Sequence, residues 1–255
     1  MGCLFPRLPD EIGMECLVRV KLKAFHNLRC VCKSWNAALK SPQFYQERKR
    51  LKISEQRICM LQKIDYNRNR VAVYDPNENS CKSLPPIPAE IYGICHFHFV
   101  KQKLVLIKDM HLDPRRSFVW LYDFRNGGSK WRQGAKTPTD LSNGFASGAD
   151  EHGGVIYVAG GFSNDEFDNP VRNASVYNVE EDKWDVLPDM NTDLEYFRGA
   201  FADGKFYVMG IPSDPSFEVF DSYTRSWKTM ENRFNYWRCL GLFQRRIGAD
   251  PLSLL

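Results

Sequence analysis

Histidine and cysteine are the side chains of this 255-residue chain that could hold a metal ion, and their densest group is Cys95-His96-Phe97-His98. Neighbouring side chains of a strand point to opposite faces, so His96 and His98 share one face while Cys95 lies on the other. A closed zinc site needs four ligands, and a copper oxidase needs histidine, tyrosine and cysteine to converge. The group therefore favours packing within a sheet, and we predict no metal and no cofactor.

Other catalytic patterns are also missing from the sequence. It contains neither the glycine-flanked serine of a nucleophile elbow nor a phosphate-binding loop. The eight cysteines are scattered without framework spacing, and no signal-peptide pattern opens the chain, so reduced thiols in the cytosol or nucleus are expected. No stretch approaches the roughly 18 apolar residues of a membrane helix. We therefore predict a non-catalytic protein of the cytoplasm or nucleus with no membrane partner.

A recurring pair of residues points to the elements that organise the chain. An aromatic residue precedes a tryptophan, or a cysteine in the first copy, by seven residues in three copies and by nine in the second. The pairs are Tyr74 and Cys81, Tyr122 and Trp131, Tyr177 and Trp184, and Phe220 and Trp227. Residues at the tryptophan position lie 50, 53 and 43 residues apart. Such a period, with four strands in each unit, is typical of a kelch-type β-propeller, whereas an ordinary antiparallel β-domain is the alternative.

The best-defined strand runs from Gly154 into Gly160-Gly161. Valine and tyrosine favour a strand there, and two glycines at its end adopt dihedrals that a Cβ would block. A tryptophan that opens the outer strand of each unit fits the role of a packing residue. We therefore predict that five residues are structural: Gly160, Gly161, Trp131, Trp184 and Trp227.

The first fifty residues lack this strand pattern. Ile12, Leu17 and Val20 fall at roughly helical spacing, and Pro9 followed by Asp10 is typical of a helix start. So small a helical head rarely holds a stable core alone, and a bound partner is expected. Residues 1–52 carry a net charge of +7 and the remaining residues −3. A basic head could bind nucleic acid, but no recognition motif accompanies it, and an acidic protein partner is equally allowed.

These patterns predict a mainly β protein with a small α-helical N-terminal domain. The predicted divisions are a helical domain at 1–50, a linker at 51–57, kelch repeats at 58–230, and an irregular tail or aborted further blade at 231–255. The four blades are expected at about 58–90, 91–139, 140–190 and 191–230. A ring of four blades is small for a propeller, so an incomplete propeller is the alternative to a closed one.

Two stretches of the helical head resemble the opening and the close of an F-box: Leu8-Pro9-Asp10-Glu11-Ile12 and Val31-Cys32-Lys33-Ser34-Trp35. With kelch-type repeats behind it, the chain is similar to the plant F-box/kelch-repeat proteins from residue 4 to about residue 230. In that family the F-box docks on a Skp-type adaptor, which joins a cullin and a RING subunit into a ubiquitin ligase, and the propeller recruits a protein substrate. Some relatives direct turnover of phenylalanine ammonia-lyase or of cytokinin response regulators.

The resemblance implies an adaptor-binding set on the helical head: Leu8, Pro9, Ile12, Leu17, Val20, Leu28, Val31 and Trp35. Chain direction alternates in an antiparallel blade, so the loops after second and fourth strands share one face of the propeller. Charged and aromatic residues in those loops form the predicted substrate-binding set: Arg115, Arg116, Asp165, Glu166, Asp168, Arg172, Glu195, Tyr196 and Arg198. The alternatives to a ligase receptor are a kelch scaffold without ubiquitin transfer and a truncated competitor for the adaptor.

Overall fold

The computed structural model describes most of the chain. The described residues are 3–21, 24–53, 58–65, 68–76, 78–87, 95–108, 118–124, 130–138, 144–162, 169–194, 198–210 and 217–230. The predicted tail at 231–255 lies outside them. None of the described helices is long and apolar enough to cross a membrane.

Among the described residues, four helices form the N-terminal part: α1 (Asp10–Val18), α2 (Phe25–Val31), α3 (Lys33–Lys40) and α4 (Pro42–Arg50). Helix α1 begins directly after Pro9 and carries two acids in its first turn, where they complement the helix dipole. Cys32 separates α2 from α3 in an extended conformation, and its sulfur accepts a hydrogen bond from the backbone N–H of Trp35 at 3.4 Å. Cys32 therefore ends α2 and caps the start of α3.

The head encloses a small apolar core. Leu17, Phe25, Leu39 and Phe44 are buried in it. The Arg48 guanidinium is also buried, where it donates to the carbonyl oxygens of Val18 and Val20 at 2.6 and 2.7 Å. It also lies over the rings of Phe25 and Phe44. A cation that satisfies the carbonyl end of α1 and stacks on aromatic rings closes the head on itself.

The described part of the chain contains fifteen strands, which form four antiparallel sheets. Sheet one contains β1 (Ile58–Asp65), β2 (Arg68–Asp75) and β3 (Ser80–Ser83), and sheet two contains β4 (Cys95–Val100), β5 (Lys103–Lys108), β6 (Phe118–Asp123) and β7 (Arg132–Lys136). Sheet three contains β8 (Ala146–Asp150), β9 (Val155–Ala159), β10 (Ala174–Asn178) and β11 (Lys183–Leu187). Sheet four contains β12 (Arg198–Ala202), β13 (Lys205–Met209), β14 (Phe217–Asp221) and β15 (Ser226–Met230). Strands pair in chain order within each sheet, and the predicted fold class, a small helical domain followed by four sheets, is confirmed.

The sequence repeat has a direct structural meaning. Its spacing places the aromatic residue and the tryptophan-position residue opposite each other on the last two strands of a sheet. The Cα partners are Tyr74 and Cys81, Tyr177 and Trp184, and Phe220 and Trp227. Trp131 lies just before β7, with its ring 5.4 Å from that of Tyr122. Cross-strand aromatic pairs stabilise a sheet, and the small, exposed Cys81 leaves sheet one without such a pair.

Apolar side chains join each sheet to the next one along the chain. Side chains of one strand alternate between two interfaces, as β9 shows: Ile156 and Val158 pack towards sheet two, whereas Tyr157 and Ala159 pack towards sheet four. The first strands of sheets three and four approach so closely that a Cβ on Gly199 would lie 2.5 Å from the backbone nitrogen of Ser147. Sheets two, three and four are therefore stacked face to face, with their first strands β4, β8 and β12 side by side.

Candidate protein-interaction surfaces

Among the described residues of the helical head, three large apolar side chains are exposed: Leu8 by 44%, Ile12 by 45% and Val31 by 59%. Leu8 precedes α1, Ile12 lies in its first turn, and Val31 ends α2. All three come from the two stretches that resemble an F-box. Exposed apolar side chains concentrated on so small a head are suited to a protein partner.

The other five residues of the predicted adaptor-binding set differ in exposure. Pro9 is exposed, whereas Val20, Leu28 and Trp35 are half-buried. Leu17 is only 2% exposed, because it packs inside the core of the head. The structure thus assigns Leu17 a packing role and leaves no surface of its side chain for a partner, while binding by the other seven residues stays a prediction.

Leu4 and Phe5, which the sequence interpretation did not single out, hold the segment that carries Leu8. The indole Nε1 of Trp35 donates to the carbonyl oxygen of Leu4 at 2.6 Å, and the rings of Trp35 and Phe5 lie 4.8 Å apart. Gly13 makes room for Phe5, because a Cβ there would lie 2.8 Å from its ring. Half-buried Trp35 therefore positions the exposed residues beside it, a role that short-range sequence patterns do not reveal.

Most of the predicted substrate-binding set lies outside the described residues: Arg115, Arg116, Asp165, Glu166, Asp168, Glu195 and Tyr196. The two that are described, Arg172 and Arg198, are exposed. The guanidinium of Arg172 forms an ion pair with Asp193 at 3.3 Å and donates weakly to the carbonyl oxygen of Asn191. Arg172 thus links the loop before β10 to the loop after β11, and substrate binding on this face stays a prediction.

The three predicted structural tryptophans contact the neighbouring sheets in two ways. Nε1 of Trp131 donates to the carbonyl oxygen of Pro85 at 2.9 Å, and Nε1 of Trp227 donates to that of Pro188 at 2.6 Å. Nε1 of Trp184 is buried and has no hydrogen-bond partner among the described residues. The interface between sheets two and three therefore lacks the tryptophan-to-proline bond of its neighbours.

Asp182 supplies a different link at that interface. Its carboxylate accepts hydrogen bonds from Arg132 Nη1 at 2.6 Å, the backbone N–H of Ala135 at 2.7 Å and the Tyr177 hydroxyl at 2.5 Å. Burial alone would raise the pKa of Asp182, but these three donors together outweigh it and hold the pKa below its ordinary value. Burial and the adjacent carboxylate both raise the pKa of Tyr177, so the phenol stays protonated and keeps donating.

The two predicted diglycine residues directly follow β9, the second strand of sheet three. Gly160 and Gly161 have φ angles of 69° and 106°, conformations that disfavour any residue with a Cβ. The backbone N–H of Gly160 donates to the carbonyl oxygen of Asn173, and Gly161 accepts from Val171. Their position fits the structural role predicted for them, namely turning the chain out of β9.

His96 and His98 do share a face, and both contact one hydroxyl group. Nδ1 of His96 and Nε2 of His98 lie 2.8 and 2.9 Å from Oγ of Ser147 on β8. Burial lowers the pKa of His96 to about 4, and its ring stacks on Phe145 at 4.3 Å. Within the described part of the chain no three histidine, cysteine or acidic side chains converge as metal ligands do. The network joins sheets two and three.

Comparisons with known proteins identify two domains in this chain. Residues 5–47 match the F-box domain, and residues 146–191, which span sheet three, match the kelch motif. The Arabidopsis thaliana F-box/kelch-repeat protein At1g80440 is 30% identical over 224 residues, which cover 81% of this chain and 61% of that protein. A second from the same plant, At1g15670, is 29% identical over 259 residues, which cover 91% of this chain and 70% of that protein. The chain thus spans less than two thirds of the first relative.

Proposed function

Because this chain joins an F-box domain to kelch repeats, as plant F-box/kelch-repeat proteins do, we propose that it is a substrate receptor of a Skp–cullin–F-box ubiquitin ligase. Its head docks on a Skp-type adaptor and, through it, on a cullin and a RING subunit. Its sheets recruit a protein substrate for ubiquitination and degradation by the proteasome, in the cytoplasm or nucleus.

The observation that carries the proposal is the exposed apolar surface of the head. Leu8, Ile12 and Val31 are exposed and lie outside the buried core of the head. Burying such side chains against a partner stabilises the complex by roughly 25 cal/mol for each Å² of apolar surface removed from water. Trp35 fixes the segment that carries Leu8, so little order has to be gained on binding.

In this role the protein carries out no bond chemistry. It holds the substrate near the ubiquitin carrier of the ligase, which raises the local concentration of substrate lysines at the reacting thioester. The receptor needs no catalytic group of its own for this task, because the ubiquitin carrier supplies the reacting thioester.

Binding of a purified Skp-type adaptor to the full chain tests the docking step. The double variant Leu8→Ala with Pro9→Ala, and the single variant Ile12→Ala, should weaken binding several-fold while leaving the melting temperature unchanged, since these side chains are exposed. Val186→Ala is the matched control, because Val186 is an exposed apolar residue of β11 in sheet three. Undiminished binding by both head variants would remove the basis of the proposal.

We further propose that the substrate lies on the face that carries the loops after the second and fourth strands. Reversal of Arg115, Arg116 and Arg172 to glutamate should reduce substrate capture and leave adaptor binding intact. Because Arg172 also pairs with Asp193, the double variant of Arg115 and Arg116 is needed to separate binding from loop structure. Arg225→Glu, in the turn between β14 and β15, is the control on the opposite face.

Phenylalanine ammonia-lyase and cytokinin response regulators are the first substrates to test. The assay combines the full chain with adaptor, cullin, RING subunit and ubiquitin-charged carrier, and follows ubiquitin on the captured protein. Ubiquitin transfer that is lost in the head variants would support the proposed role as a substrate receptor. Adaptor binding without transfer to any captured protein would instead favour the alternative, a kelch scaffold or a competitor for the adaptor.

A further inference from the structure

Glu218, the second residue of β14, carries a carboxylate that is 0% exposed. Burial of a carboxylate costs stability unless hydrogen bonds compensate for the lost water. Three uncharged groups donate to it. Oε1 accepts from the hydroxyls of Thr192 and Thr229 at 2.7 and 2.8 Å, and Oε2 accepts from Nδ2 of Asn191 at 3.1 Å. Both carboxylate oxygens therefore have donors inside the molecule.

Strand pairing does not require an acid at this position. Glu218 lies two residues before Phe220, the aromatic residue of the repeat in sheet four. The same position holds Ala72, Trp120 and Ser175 in sheets one, two and three. An alanine, a tryptophan and a serine thus fit the same place in similar sheets. The acid in sheet four is therefore explained by the groups that it binds.

The donors to Glu218 come from two different parts of the chain. Thr229 on β15 is its Cα partner, so this hydrogen bond stays within sheet four. Asn191 and Thr192 belong to residues 188–194, which leave β11 of sheet three and lead towards β12 of sheet four and are called the connector here. The two bonds from the connector therefore fix it to the interior of sheet four.

The connector in turn holds Arg172, a residue of the predicted substrate-binding set. Asp193 pairs with its guanidinium at 3.3 Å, and the carbonyl oxygen of Asn191 accepts from it at 3.5 Å. The backbone N–H of Met190 donates to the carbonyl oxygen of Arg172 at 2.9 Å. Both side chains of the ion pair are exposed, and such a pair contributes little by itself. The position of Arg172 therefore depends on how firmly residues 190–193 are fixed.

We propose that Glu218 is a positioning residue for the face that carries the loops after the second and fourth strands. From inside the molecule it fixes Asn191 and Thr192, and these residues set the position of Arg172. The inference rests on the proposed function, because this face is the proposed substrate site, but the position of Arg172 can be measured without a substrate. A buried acid in this role gives the loops a defined geometry at a cost in net stability.

The two threonines provide a matched pair of variants. Thr192→Val and Thr229→Val each remove a hydroxyl that donates to the same oxygen of Glu218, and each keeps a β-branched side chain. A role limited to stability would make the two variants alike. Under the proposal, only Thr192→Val releases the connector and with it Arg172.

The rate at which phenylglyoxal modifies Arg172 in the full chain, followed by mass spectrometry of its peptides, measures that release. Thr192→Val should speed the reaction roughly threefold, the order of effect that an exposed ion pair has. Thr229→Val should leave the rate unchanged. Arg225, exposed in the turn between β14 and β15, is the reference in each sample and should react at the same rate in all of them.

Substitutions of Glu218 itself provide a second comparison. Glu218→Gln keeps an acceptor oxygen for the two hydroxyls, and the Asn191 amide can rotate to accept from the new NH2 group, so Arg172 should react at its original rate. Glu218→Leu removes all three bonds and should give the faster rate. Equal rates at Arg172 in Thr192→Val and Thr229→Val would overturn the proposal, and this result is decisive even if Glu218→Leu does not fold.

Capture of phenylalanine ammonia-lyase by the same variants separates the positioning role from the proposed function. Weaker capture by Thr192→Val than by Thr229→Val would support both. Faster modification of Arg172 with unchanged capture would support the positioning role and overturn the assignment of the substrate to this face.

Discussion

Asp182 and Arg132 lie 50 residues apart in the sequence and form an ion pair of 2.6 Å across the interface between sheets two and three. The same carboxylate binds the Tyr177 hydroxyl of its own sheet and the Ala135 amide of the neighbouring sheet. One turn residue therefore ties two sheets together where the tryptophan-to-proline bond of the other interfaces is missing.

Replacement of Asp182 by asparagine should lower the free energy of unfolding by about 2 kcal/mol, because hydrogen bonds to a charged group are lost. Asparagine tolerates the φ angle of 57° at this position, so the backbone is retained. Urea denaturation of the full chain measures the change. Asp203→Asn, at a φ angle of 50° in the turn before β13, is the matched control. Equal effects of the two substitutions would show that the ion pair contributes nothing.

The two kinds of tryptophan should respond differently to phenylalanine. Trp227→Phe removes the hydrogen bond to the carbonyl oxygen of Pro188, whereas Trp184→Phe removes a buried N–H that has no partner among the described residues. We expect Trp227→Phe to lower the free energy of unfolding by about 1 kcal/mol more than Trp184→Phe does. Thermal and urea denaturation give the comparison, and a larger cost for Trp184→Phe would contradict it. Trp184→Ala should cost roughly 3 kcal/mol or more, since it opens a cavity.

Gln102 is a site where glycine should stabilise the protein. It has a φ angle of 62° in the turn between β4 and β5, where the equivalent turn between β12 and β13 has Gly204 at 73°. A residue with a Cβ costs roughly 1 kcal/mol or more in this conformation. Gln102→Gly should therefore raise the melting temperature by a few degrees. Gln102→Ala keeps the Cβ and should not raise the melting temperature. An equal rise in both variants would point to a cause other than the backbone conformation.

The buried imidazole of His96 should make stability depend on pH. Burial lowers its pKa in the folded state to about 4, against about 6.5 in an unfolded chain. The folded state therefore resists protonation, and the associated stability is complete above pH 6.5 and is lost as the pH falls towards 4. His96→Gln should reduce the loss of unfolding free energy between pH 7 and pH 4.5 by on the order of 2 kcal/mol. Urea denaturation at pH 7 and pH 4.5 measures it, with exposed His152→Gln as the control.

Local sequence patterns predict the elements and their pairing, because both depend on nearby residues. The seven-residue spacing from Tyr177 to Trp184 is the length of a hairpin that sets them opposite each other. The contacts between sheets depend on residues about 50 positions apart, such as His96 and Ser147, and no short-range pattern signals them. For the same reason, the F-box-like motif does not predict which of its apolar residues are exposed: Ile12 is exposed, whereas Leu17 is buried.

The pairing of strands in chain order also bears on how the protein forms during synthesis. Each sheet is one contiguous stretch, so its hairpins can close as soon as that stretch leaves the ribosome. At 5 to 20 residues per second, the next repeat of about 50 residues follows roughly 2.5 to 10 seconds later. During each interval the newest sheet, such as sheet three with Tyr157, presents an apolar face that its successor has yet to cover. Slow translation within a repeat should therefore favour aggregation more than slow translation within the helical head.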